Sequence, residues 1–233
     1  MNADLVLLTV PDDAIRATAS ALTGFSGGAA IHTSGAYDTS VLAGLAAQGV
    51  QVGGLHPAYP FADVDSALKG LRGATFAIEA QDEPLLGWLH EIVNALDGQA
   101  LIIPPGGKAI YHAALVFASN YTVTLYALAE SMLTGLGADK MVADGALNAL
   151  LAGTVENLRE QGIPEALTGP LIRADVGTIE THLRALGSMD GHLVDVYRQL
   201  ARLTYPLLLA RGVAPDEIER LLQQDVEDAH HSP

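Results

Sequence analysis

Lys108 and His112 stand four residues apart in Lys108-Ala109-Ile110-Tyr111-His112. On a helix they fall about 40° from one another, and Ser119 falls about 20° from Lys108. An amine, an imidazole and a hydroxyl therefore share one polar stripe, with Leu115 between them. Such groups can exchange protons with a bound molecule. Lys108 also opens its helix, where a cation opposes the helix dipole. The plainer readings are a solvated terminal charge for Lys108 and a hydrogen-bonded core side chain for His112. The adjacent Ser119-Asn120 pair, expected in mid-helix, either touches a ligand or makes a helix–helix hydrogen bond.

His32, Thr33 and Ser34 close a short strand and lead into Gly35, and His56-Pro57 closes the next. Open α/β sheets bind ligands at that edge. Ser34 would offer a hydroxyl, Gly35 a closely approaching backbone and His56 an imidazole. A strand-to-helix turn and a rigid loop are the alternatives. Farther on, Arg173 has the chemistry to hold a carboxylate or phosphate bidentately. Asp175 either joins it at a substrate or caps the next helix. No His is set with an Asp around a nucleophile elbow, so a Ser-His-Asp hydrolase is not expected. The eight His show no metal-ligand spacing, so no metal site is expected. His230-His231 are expected in a disordered polar tail.

The elements that must position these residues change character along the chain. Apolar strands are expected at 4–10, buried as in a parallel sheet, and at 29–33, 51–55, 75–79 and 100–103. Helices are expected at 12–22, 38–47 and 82–96, giving strand–helix alternation and an α/β layer. Pro104-Pro105-Gly106-Gly107 breaks the pattern. Beyond it only helices are expected, at 108–136, 139–161, 175–186, 190–210 and 215–228. The reading is an α/β part with a mostly parallel sheet over 1–105, then an all-α part over 106–233. The 108–136 helix is apolar on several faces (Ala113, Ala114, Val116, Phe117, Val123, Leu125, Ala127, Leu128), which points to a helix covered all round in a homodimer.

Twelve basic residues against 27 acidic ones give a net charge of −15. That opposes nucleic acid and a polybasic membrane contact. With 49% hydrophobic residues the chain is not disordered. Without Cys there is no disulfide, thiolate nucleophile or Cys-ligated metal. No run of about 18 apolar residues suggests a membrane span, and Asp4 stands where a signal peptide would be basic. A cytoplasmic protein is expected. Gly24, Gly27 and Gly28 do not follow a strand, so they read as a flexible turn rather than a phosphate cradle. The chain thus reads as an α/β domain without the usual opening glycine-rich loop.

Several segments together carry a family resemblance: ADLVLLTVPDDAI (3–15), HTSG (32–35), LHPAYPF (55–61), LRGATFAIE (71–79), KAIYHAALVFASNY (108–121) and ALTGPLIRADVGTIETHL (166–183). The chain resembles the Rossmann-like family whose C-terminal part is the domain of unknown function 2520. That family looks like the reductases with a 6-phosphogluconate-dehydrogenase-like helical domain, including ketopantoate and pyrroline-5-carboxylate reductases. The resemblance implies an NAD(P)-dependent oxidoreductase acting on a small carbonyl or imine. It places Val10, Pro11, Asp12 and Thr33 at an NADP or NAD cofactor. Ser34, Gly35, His56, Ser119, Asn120, Arg173 and Asp175 fall at a small-molecule substrate. The Lys108–His112 pair is similar to the Lys-x-x-x-Asn pair of related hydroxyacid dehydrogenases, where the Lys protonates or polarises the carbonyl that receives hydride. The alternative is a non-catalytic ligand-binding or dimerisation protein that has lost nucleotide binding.

Overall fold

The computed structural model describes residues 3–61 and 63–224. Its chain packs as two compact units, 1–128 and 129–233. Pro104–Gly107 therefore marks where the strands stop, and the first packing unit runs on to Leu128. Asp216–Leu222 is the helical part of 215–224, and the rest of the helix expected to 228, with His230-His231, lies outside the described residues.

The first unit carries one five-stranded sheet in the order β1-β2-β3-β4-β5: Leu5–Leu8, Ala29–His32, Gln51–Pro57, Thr75–Ala80 and Gln99–Ile102. All neighbours are parallel except β3 and β4. Helices α1 (Ile15–Ala21), α2 (Ala43–Ala46), α3 (Val64–Gly70) and α4 (Leu85–Ala95) alternate with the strands. The chain has a Rossmann-like α/β part followed by a helical region.

Strand β1 departs from the buried strand expected at 4–10. It lies at the sheet edge, pairs with β2 alone, and leaves Leu7 47% exposed. The seven-residue helix α3 was not expected. Its start is marked by Asp63, whose carboxylate accepts from the Ser66 amide at 2.9 Å.

Transverse rows of the sheet decide what each face holds. Leu8, His32, Gly54 and Glu79 are in register, so all four face one side. On that side Leu8 and Ala30 pack with Ile15, Ala19, Leu42 and Leu45. Farther along, Ala77 packs with Ile103 and Tyr111. The opposite face buries Ile31, Leu55 and Ile78 against Leu85, Leu89 and Val93 of α4.

The single helix expected over 108–136 is two: α5 (Lys108–Ala118) and α6 (Asn120–Gly135). Ser119 sits between them at φ −113° and ψ −69°, off the ideal helix, and Asn120 is exposed. The 190–210 helix likewise divides at Thr204 into α9 (Gly191–Leu203) and α10 (Tyr205–Ala210), because Pro206 lacks an amide donor.

The second unit holds α7 (Lys140–Gln161), α8 (Val176–Met189), α9, α10 and α11 (Asp216–Leu222). Its core is Ile179, Leu183, Val194, Ala201, Leu208 and Ile218. The Glu219 carboxylate ties three of these helices together. It accepts from Arg202 of α9 at 3.1 Å and from the Tyr205 hydroxyl of α10 at 2.8 Å. These bonds hold its carboxyl down to about 2. No helix among the described residues is long and apolar enough to cross a membrane.

Candidate functional site

The site lies in the first unit, where one sheet face passes from the cover of α1 and α2 to that of α5. His32 ends β2 and is fully buried. Its Nδ1 accepts the Ser34 amide at 3.2 Å, which leaves Nε2 to carry the proton of the neutral ring. Burial and the nearby Lys108 push the imidazole down to about 4. Beside His32 in register is Gly54, and beside Gly54 is Glu79. One Glu79 oxygen accepts from the Thr39 amide and hydroxyl at 3.3 and 3.4 Å.

Lys108 reaches into the space that Gly54 leaves. A methyl group on Gly54 would lie 3.4 Å from the Lys108 Nζ, 3.5 Å from His32 Cε1 and 3.7 Å from Glu79 Cβ. Lys108 is 2% exposed, and burial pushes its amine below the usual lysine range against the pull of Glu79, Asp38 and Asp12. Lys108 Nζ, His32 Nε2 and Glu79 Oε2 are all buried with no hydrogen-bond partner. A buried polar atom without a partner is costly. Lys108 Nζ lies over Gly54 beside the His32 ring, so the amine and the imidazole carry two of these costs at one place.

His56 forms the second part. Its Nδ1 is 2.8 Å from the Tyr111 hydroxyl, with the rings edge-on. Burial, Lys108 and His112 push His56 down to about 4, and burial pushes Tyr111 up to about 12. The Tyr111 ring centroid is 5.9 Å from Lys108 Nζ. Gly35 closes the group: a methyl there would be 2.7 Å from His56 Nε2 and 3.0 Å from His112 Cδ2.

The two strand glycines differ in what they tolerate. A methyl on Gly53 would lie 2.7 Å from the Glu79 carbonyl oxygen, a backbone atom that cannot retreat. Gly53→Ala is expected to cost about 1–3 kcal/mol, as overpacking does. Gly54→Ala meets only ordinary contacts and is expected to change stability by less than about 1 kcal/mol. Urea unfolding of the two variants checks the contrast.

The structure thus gathers Lys108, His112, Gly35 and His56 from the residues singled out by sequence. Ser34 is adjacent, but its hydroxyl accepts from the amides of Ala36 and Tyr37 at 3.1 and 3.0 Å, which makes it a turn former. Ser119 and Asn120 lie at the α5–α6 break. Arg173 and Asp175 belong to the second unit. There Asp175 caps α8 through the Thr178 amide and hydroxyl at 3.1 and 2.8 Å. Arg173 is exposed, 4.0 Å from Asp175. Val10, Pro11 and Asp12 follow β1, and Thr33 follows β2, so the four lie at neighbouring strand ends.

Sequence reasoning missed Glu79, Tyr111 and Gly54. A charged residue closing the apolar run Thr75-Phe76-Ala77-Ile78, and two glycines inside a strand, were the available signals.

Residues 74–204 match the family described as a domain of unknown function, DUF2520. The chain belongs to this family. Among solved structures, protein TM1727 from Thermotoga maritima is 26% identical to this DUF2520 protein. Its TM-score is 0.79, over 91% of this chain and 81% of that one. A Bacteroides fragilis protein provisionally described as an NADP oxidoreductase is 25% identical, with a TM-score of 0.67 over 87% and 76%. A pyrroline-5-carboxylate reductase from Streptococcus pyogenes shares the fold alone, at 14% identity and a TM-score of 0.56 over 85% and 76%. Comparison with curated protein sequences gives no match.

A dinucleotide fits one end of this site better than the other. The unpartnered Lys108 and His32 groups suit the reacting end, beside the strand ends at Val10–Asp12 and Thr33. The helical starts near this edge already carry carboxylates: Asp12 and Asp13 after β1, and Asp38 capping through Ser40 after β2. Among the described residues no glycine-rich strand-to-helix turn cradles phosphates.

Proposed function

We propose that this protein is an NAD(P)-dependent oxidoreductase that reduces a small carbonyl or imine, with Lys108 as the proton donor. The observation that carries the reading is the buried Lys108 amine, unpartnered over Gly54 between His32 and Glu79. A bound nicotinamide nucleotide supplies hydride. Lys108 polarises the acceptor and passes it a proton, which suits an amine brought below its ordinary range by burial. The neutral His32 orients the same group through Nε2–H. His56 and Tyr111, with His112 across Gly35, pack beside this pair. Val10, Pro11, Asp12 and Thr33 are assigned to the nucleotide, and Ser34, Gly35 and His56 to the substrate. The 26% identical structure supports the reading at the level of fold, and the 25% identical one at the level of fold and class.

Titration with NADPH and NADH, followed by their fluorescence, tests the cofactor. Saturable binding is expected. Its absence up to millimolar nucleotide favours the second reading, a ligand-binding or dimerisation protein.

A homodimer through the helices is part of the proposal. Helix α7 buries only Ala143 and exposes Met141, Val142, Leu150 and Val155. Helices α5 and α6 expose Phe117 and Val123. Apolar surface on this scale marks an interaction surface. Sedimentation at micromolar concentration is expected to give a dimer, and a monomer would remove this part. A cytoplasmic location is proposed with it.

A further inference from the structure

Lys108 has no hydrogen-bond partner, yet its surroundings are not featureless. Gly54 and His56 alternate with Leu55 on β3, so both face the side of the sheet that carries His32 and Glu79. His56 is in register with Ala77, and Ala77 packs against Tyr111 of α5. Tyr111 follows Lys108 at the i, i+3 spacing, which makes the two neighbours on one face of that helix. One sheet face therefore presents Gly54 and His56 to the helix turn that carries Lys108 and Tyr111.

What meets the amine there is a ring. Lys108 Nζ lies over the Tyr111 ring, 5.9 Å from its centroid. The negative face of an aromatic ring attracts an ammonium, more strongly where water is excluded. Tyr111 is 9% exposed and Lys108 2%. The ring is itself held in place. Its hydroxyl bonds to His56 Nδ1 at 2.8 Å, the His56 ring meets it edge-on, and Ala77 and Ile103 pack with it. A buried tyrosine hydroxyl usually finds a partner. Here that partner stands on the strand that carries Gly54, so the bond fixes the ring relative to the seat of the amine.

We infer that Tyr111 is a positioning residue for Lys108: its ring, fixed by His56, stands in for the hydrogen-bond partner the amine lacks and favours the ammonium form. The consequence for catalysis rests on the reading of Lys108 as proton donor, and the effect on the amine does not. The ring acts against burial, which pushes the amine below the usual lysine range. It does so alongside Glu79 of β4, Asp38 after β2 and Asp12 after β1. His32 and His56 also act on the amine, and with values of about 4 both rings are neutral in neutral and alkaline solution.

The chain has three lysines, Lys69, Lys108 and Lys140. Carbon-13 labelling of lysine therefore gives three Cε signals by NMR, and Lys108→Met identifies the one from Lys108. The pH midpoint of that signal, in the full chain without nucleotide, is the test. Tyr111→Leu is expected to lower it by about half to one pH unit, about three- to tenfold in the protonation equilibrium. Tyr111→Phe keeps the ring and gives up only the hydroxyl, and is expected to lower it by less. Circular dichroism confirms that the variants fold, and Tyr111→Met takes the place of the Leu variant if that one does not. The inference is overturned if the variant without the ring leaves the midpoint unchanged or raises it, or if Tyr111→Phe lowers it as far. In turnover, kcat of the parent is expected to fall at alkaline pH as Lys108 loses its proton. The Leu variant is expected to fall at a lower pH, with KM little changed. A lowered midpoint without NADPH-linked turnover removes the reductase reading alone. Turnover with an unmoved midpoint removes this inference alone.

Discussion

Lys108→Met is expected to make the protein more stable, by about 1–3 kcal/mol at neutral pH. Methionine keeps most of the length of the lysine side chain and fills the space over Gly54. It removes an amine that is 2% exposed and has no hydrogen-bond partner. Replacing buried charge by an apolar group of similar shape is commonly neutral or stabilising. Lys108→Ala shows less gain, because it leaves a cavity between Tyr111 and Gly54. The sign with pH follows from linkage. The folded state holds the Lys108 amine below its ordinary range, so its burial penalty is present at neutral pH. That penalty fades as pH rises toward the unfolded lysine value of 10.5. The advantage of Lys108→Met over the parent should therefore shrink with rising pH. Urea unfolding at several pH values measures it. A Met variant less stable than the parent would mean that Lys108 is a structural strut.

The second large effect is acid sensitivity through His32. Its folded value is about 4 against an ordinary 6.5, so the folded state favours the neutral ring. Above pH 6.5 the ring is neutral in both states, and the fold keeps its full stability. As pH falls from 6.5 toward 4 the unfolded chain takes up the proton first, and stability is lost. For His32 the loss is about 3 kcal/mol. Half-buried His56, with the same direction and value, adds a smaller share. His32→Gln offers a side-chain oxygen to the Ser34 amide without a titrating ring. It is expected to flatten the stability profile between pH 7 and 4. A profile as steep as the parent's would mean that His32 is not the group responsible.

The α/β order and the helical second half were legible because long apolar runs and the Pro104–Gly107 break leave little choice. The antiparallel turn of β4 against β3 was not. Both strands are largely buried, and burial alternation says nothing about direction. The edge position of β1 was hidden for the same reason. Its run is as apolar as an interior strand, yet Leu7 is 47% exposed. Lys108 was legible because a cation is misplaced at a helix start. Glu79 and Tyr111 were not, because their roles come from the register that brings β2, β3 and β4 together and from the face of α5 turned toward Ala77. The Arg173 segment has its plainest explanation in the Asp175 cap, which any helix start would use.

Stopped-flow following of NADPH oxidation, with a panel of small ketones and cyclic imines, tests the central claim most directly. The parent is expected to oxidise NADPH only when an acceptor is added, and Lys108→Met to lose about 10²–10⁴-fold in rate, the range of a lost proton donor. An acceptor-dependent rate that survives in Lys108→Met, or no oxidation with any acceptor in the parent, would contradict the account.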